Sequence, residues 1–203
     1  MPYKSSLISR FKTTISQVDE LLAIHKYLQS VPIKQVTDNV LRAALTMMVS
    51  AIDTSVHELI VNAIMFEIKE DKSIFKTDNI KISVSSSKES DYETRIRLIE
   101  SDLRRQFAKE SFQSSRQIES SLAQIGITKI WSKLSVILGQ PAEDIKLRLD
   151  LLVRRRNHIV HEGDLDHFHS IRDIDREDLD ESLKFTKELV NGIIIEYAKL
   201  ITV

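Results

Sequence analysis

The sequence predicts an all-α fold, a helical bundle with a long central helix and a long C-terminal helix, and three observations predict it. Apolar residues recur at helical spacing along most of the 203 residues. Four Gly and three Pro are too few turn formers for a sandwich, a propeller or a glycine-loop α/β enzyme. A content of 42% hydrophobic and 29% charged residues is that of an ordinary globular chain, neither disordered nor fibrous. The length suits one domain over residues 1–203.

Each element has its own justification. Leu7, Ile8, Phe11, Ile15, Val18, Leu21, Leu22 and Leu28 predict an N-terminal helix over about residues 5–30, stopped by Pro32. Between about residues 36 and 69 apolar residues cover nearly every face, as in a helix surrounded by others. Arg42, Asp53, His57 and Glu58 interrupt this segment, so it reads as a buried central helix and not as a membrane span. Residues 71–90 read as a loop with a short extended piece at Ile80, Ile82 and Val84 before the serine run 85–87. Helical spacing resumes over 92–112, then over 114–124 up to Gly126, and over 128–138 with Gly139 as the stop. Pro141, with Glu143 and Asp144 behind it, sits at a first-turn position of a helix reaching about His161, and Gly163 ends it. A final helix runs from an Asp175 cap to about Ile201. There is no internal repeat.

Charge and composition narrow the function. Lys plus Arg at 29 against Asp plus Glu at 30 leaves a net charge of −1, so whole-molecule attraction to nucleic acid or anionic lipid is excluded and any phosphate binding is local. The absence of cysteine excludes a disulfide scaffold, a thiol nucleophile and thiolate metal sites. The first ten residues are followed by charges and not by an apolar stretch, so no secretory signal is read and a cytoplasmic location is expected.

The specific chemistry converges on Arg154-Arg155-Arg156-Asn157-His158-Ile159-Val160-His161-Glu162-Gly163-Asp164, at the end of an otherwise apolar helix. Arg154, Asn157 and His161 fall within about 60° of one another, whereas Arg156 lies about 140° from His161. A guanidinium is a permanent planar charge fitted to phosphate oxygens, and an imidazole titrates near neutrality, so the pair suits phosphodiester binding with proton transfer. That chemistry needs no metal. The bland reading of the arginines is cations at a helix C-terminus on a solvated face. His158 and His161 are three apart, but their order matches no common zinc-protease motif and no third ligand is evident.

These residues resemble the HEPN superfamily, whose signature is an Arg, a polar residue and then a His four to six positions after the Arg. The resemblance is to its RiboL-PSP-HEPN branch, through Ser111-Phe112-Gln113, Ile125-Gly126-Ile127, Ile130-Trp131 and the segment from Arg155 to Asp164, with a similar upstream stretch 41–60. It covers about residues 38–200. It implies a helical bundle, commonly a homodimer, in which two motif copies meet and cleave RNA without metal or cofactor, often as a toxin or defence effector, sometimes with catalysis lost. On this reading Arg156, Asn157 and His161 are catalytic, Arg154, Arg155 and His158 bind RNA, and Asp53 and His57 are candidates to support them. Expected partners are RNA, a second copy, and a cognate antitoxin or defence-system protein, with no membrane. The competing reading is a catalytically silent module that binds RNA, a nucleotide or a protein, or a neutralising subunit of a two-component system.

Asp53 and His57, four apart on the central helix, either pair with each other or edge a polar cleft. The basic residues between 92 and 120 are interspersed with acids and read as a solvated face, Trp131 reads as core, and His167 and His169 read as surface loop residues.

Overall fold

A computed structural model of the chain describes residues 2–28, 30, 34–70 and 80–201. They form eight helices: α1 (Pro2–Leu28), α2 (Lys34–Glu70), α3 (Val84–Lys88), α4 (Tyr92–Phe107), α5 (Ser115–Gln124), α6 (Ile130–Leu138), α7 (Ala142–Glu162) and α8 (Arg176–Ile201). Among the described residues there is no strand, only an isolated bridge between Leu165 and Ile171. The all-α expectation holds.

The central position of α2 follows from its all-round apolarity. It packs against α1, α4, α5, α7 and α8. By length and composition it is, among the described residues, the one helix apolar enough to cross a membrane, yet 67% of its most apolar stretch is buried within the fold. α1 lays Phe11, Ile15, Val18 and Leu22 into the same core, and α8 adds Leu183, Leu189, Val190 and Tyr197. α6 comes close to α8 at Gly192, where a Cβ would stand 2.5 Å from Leu134 Cδ2.

Three charged residues are buried in α2, Arg42, Glu58 and Glu67, and because a buried ion without partners costs roughly several kcal/mol, the partners of the first two link helices. Glu58 accepts from Arg104 of α4 through both carboxylate oxygens and also from Arg10 of α1, tying three helices together. Arg42 donates to Asp164 and to the Arg172 carbonyl, just beyond the end of α7.

Three segments depart from the sequence expectation. The serine run 85–87 lies in the short helix α3, because Ser83 caps it by accepting from the Ser86 N–H and Asp102 accepts from both Ser83 and Ser86. The extended reading is therefore corrected at Val84, where α3 begins; residues 80–83 lie outside any helix and Ser83 has an extended backbone, while 71–79 lie outside the described residues. α4 stops at Phe107, five residues early, because the chain turns so that Phe112 packs its ring 4.3 Å from that of His57 and gives its N–H to Asp53 Oδ1 at 2.6 Å. Pro141 stands one residue before the first helical residue of α7 and not within its first turn. The Asp175 cap of α8 is as read, with Oδ1 accepting from the Glu177 and Asp178 N–H groups.

Candidate active site

α7 is regular through Glu162 and stops where Gly163 takes a φ of 65° and Asp164 one of 60°. Ile145, Leu149, Leu152 and Val153 face the core. Arg156 stands within about 20° of Leu149, two turns on, so its stem points inward. The opposite stripe, Leu147, Leu151, Arg154, His158 and His161, has spacings of four, three, four and three and faces outward. Leu147 and Leu151 are 59% and 49% exposed there.

Arg156 is half-buried, with its Nε enclosed and without a hydrogen-bond partner. Its Nη1 donates to Asn157 Oδ1 at 3.0 Å. Because a guanidinium only donates, this bond fixes the amide with its oxygen toward Arg156 and its NH₂ donors outward. The exposed His161 makes no hydrogen bond or ion pair with a described residue. Within one chain, then, the cation and the imidazole stand about 140° apart on a regular helix and do not meet.

The other sequence-selected residues, Arg154 apart, are engaged elsewhere. Arg154 is exposed on the outward stripe. Arg155 donates through Nη2 to Asp164 Oδ2 at 2.9 Å and to the Asp173 carbonyl at 2.8 Å, and burial lowers its pKa, with Asp164 opposing. His158 donates from Nδ1 to Glu162 Oε2 at 2.8 Å. Asp53 and His57 do pair, at 3.7 Å, but their remaining contacts go to the turn after α4: His57 Nε2 faces the Phe107 carbonyl at 3.0 Å and Asp53 holds Phe112. They lie about 16 Å and about 22 Å along α2 from Arg42, and the contacts they make beyond each other are with that turn. Asp150 binds the N–H and hydroxyl of Ser115, fixing the start of α5 on α7.

What the sequence reading missed is how the motif helix is held at its end. Asp164 is wholly buried, and its Oδ2 accepts from both Arg42 Nε, at 2.8 Å, and Arg155. Its N–H closes the helix on the His158 carbonyl at 2.9 Å. The available signal was Arg42 itself, a charge inside an otherwise apolar helix that had to find an acid. A cleft of about 520 Å³ lined by Leu45, Arg148, Leu151, Leu152, Arg155 and Phe185 opens between α7 and α8, and His161 does not line it. Among the described residues no group of three or more His, Asp or Glu is placed to hold a metal ion.

Fold and site together define a class: an all-α bundle whose penultimate helix ends in Arg-polar-x₃-His. The model of the RiboL-PSP-HEPN family matches residues 12–199, and the chain belongs to that family. The match begins inside α1 and not near residue 38, because α1 is packed along α2 as part of the same core. No curated protein and no solved structure matches the chain.

Proposed function

We propose that the protein is a metal-independent endoribonuclease acting as a toxin or anti-phage effector in the cytoplasm, with an active site shared by two copies. The observation that carries this reading is the division of labour on α7. Arg156 is a cation steadied by Asn157, and His161 is an exposed imidazole free of partners within the described chain.

In this reading His161 takes the proton of a ribose 2′-OH, the 2′-oxygen bonds to phosphorus, and the P–O5′ bond breaks. The departing 5′-oxygen takes a proton from the second protomer's imidazole or from water. Arg156 stabilises the charge that accumulates on the non-bridging oxygens, and the Asn157 NH₂ donates to the same phosphate. The products are a 2′,3′-cyclic phosphate and a 5′-OH. A second copy that meets α7 along the edge of the outward stripe nearest Asn157, the side toward which Arg156 Nη1 reaches, supplies what one chain separates, the Arg156 of one copy beside the His161 of the other. Exposed Leu147 and Leu151 on that stripe give such a two-fold contact apolar area. Arg155 is held off the outward stripe by its bonds to Asp164 and to the Asp173 carbonyl.

Purified protein is expected to cut single-stranded RNA in EDTA, spare DNA and leave cyclic phosphate ends, and expression toxicity should disappear with His161→Ala. Cleavage only with added divalent metal, or 3′-OH products, would overturn the mechanism. RNA binding without any cleavage would favour the silent-module reading.

A further inference from the structure

Directly after α7 the chain folds back in a small hook, residues 164–172, that the ribonuclease reading leaves unused. Its base is closed by the Arg172 N–H on the Asp164 carbonyl at 3.0 Å, by Arg172 Nε on the Leu165 carbonyl at 3.2 Å and by the bridge between Leu165 and Ile171. Its turn is organised by one side chain. Asp166 Oδ1 accepts from the Phe168 N–H at 2.8 Å and the Ser170 N–H at 2.9 Å, while the Asp166 N–H and carbonyl bond Ser170 and His169. His169 takes a φ of 62°, a conformation a non-glycine residue holds only where the surroundings impose it. The hook is therefore pre-organised and is not a slack loop.

What this framework displays is aromatic. Phe168 is 75% exposed, and the ring of His167 lies against it with centroids 3.9 Å apart at a 44° tilt. That pairing covers one face of the phenyl ring and leaves the other to solvent. Phe168 lies seven positions after His161, so their Cα atoms are at most about 25 Å apart, within the span of the few nucleotides that flank the cleaved phosphodiester. A rigidly mounted, solvent-facing aromatic ring beside a phosphodiester site is what an unpaired base needs for stacking, and stacking is sequence-tolerant because every base has a π-face. Of the two acids of the hook, Asp164 is buried between two arginines, and Asp166 turns Oδ1 into the hook onto the N–H groups of Phe168 and Ser170.

We infer that the hook is a substrate-binding element in which Phe168, backed by His167, stacks on an unpaired base of the RNA next to the cleaved linkage. This rests on the ribonuclease reading above.

The test uses the full-length protein carrying His161→Ala, so that RNA is bound and not consumed, and a fluorescently labelled single-stranded RNA as the probe. Phe168→Ala is expected to weaken binding roughly 5- to 150-fold, with the salt dependence unchanged because stacking releases no counterions. Phe168→Trp should restore affinity, and because the chain's one tryptophan, Trp131, is buried, the emission of the new indole should be quenched when RNA binds. Unaltered affinity on adding Phe168→Ala to the His161→Ala protein, when the wild-type protein cleaves the same RNA, overturns the stacking role and leaves the ribonuclease reading intact. A change in oligomeric mass by light scattering with unaltered RNA affinity would assign the hook to a protein contact and likewise overturn it. Failure of the His161→Ala parent to bind RNA, with a wild-type protein that does not cut it, overturns both.

Discussion

Arg42 and Asp164 stand 122 positions apart in the chain and meet in its interior, Nε to Oδ2 at 2.8 Å. This contact ties the end of the motif helix to the centre of the bundle, and Arg155 shares the same oxygen. The position of His161 relative to the rest of the fold therefore depends on one buried carboxylate.

Asp164→Asn keeps a residue tolerant of the left-handed backbone at this position and removes only the charge. It leaves Arg42 buried and uncompensated, which costs about 3–5 kcal/mol. Urea denaturation is expected to show a loss of that size, and a loss below about 1 kcal/mol would mean that water or another group compensates Arg42.

Arg156→Lys should lower cleavage by about 10²–10³-fold, since a point charge reproduces neither the fork on the phosphate nor the bond to Asn157. His161→Ala should lower it by about 10²–10⁴-fold. Both variants should melt like the parent, because neither side chain carries a buried partner, and single-turnover rates on a defined RNA measure the effect.

Asn157 separates two roles. Asn157→Ala releases Arg156 from its one hydrogen bond among the described residues and should reduce cleavage by about tenfold or more, the size of a hydrogen bond to a charged group. Asn157→Asp still accepts from Arg156 but turns a negative charge toward the phosphate, so it should be more damaging than Ala. The reverse order would show that Asn157 does nothing beyond steadying Arg156.

Stability should also depend on pH through His25 of α1. Burial, then the charge of Arg176, holds its pKa below the ordinary value, with Asp38 and Asp180 opposing. The neutral ring contributes stability that is complete above about pH 6.5 and is lost as pH falls from there toward the depressed folded value, because the unfolded chain takes up the proton first. His25→Gln should flatten the melting temperature between about pH 6.5 and 5 relative to wild type. Parallel curves for the two proteins would contradict this.

Helices were legible wherever apolar periodicity and a stop residue coincided. The Asp175 cap and the Gly139 and Gly163 stops fall as read. Residues 108–112 were misread because Phe112 extends the apolar series of α4 while reaching the core from a turn, and that turn is held by Asp53 and His57, residues more than 50 positions away. The motif residues were legible as chemistry, but their environments were not. That Arg42 closes on Asp164, and that Asp166 stiffens a hook carrying Phe168, are consequences of chain reversal after Gly163, which spacing on a helix cannot convey.

The most direct test of the shared site is complementation between two inactive proteins in EDTA. Arg156→Ala and His161→Ala are each purified, mixed in equal amounts, allowed to exchange subunits, and assayed on single-stranded RNA. Half the dimers are then mixed, and each mixed dimer joins the intact Arg156 of one chain to the intact His161 of the other at one of two sites. The account predicts recovery of about a quarter of the wild-type rate. A mixture that exchanges subunits and remains silent, or a wild-type monomer that is fully active at nanomolar concentration, would contradict it.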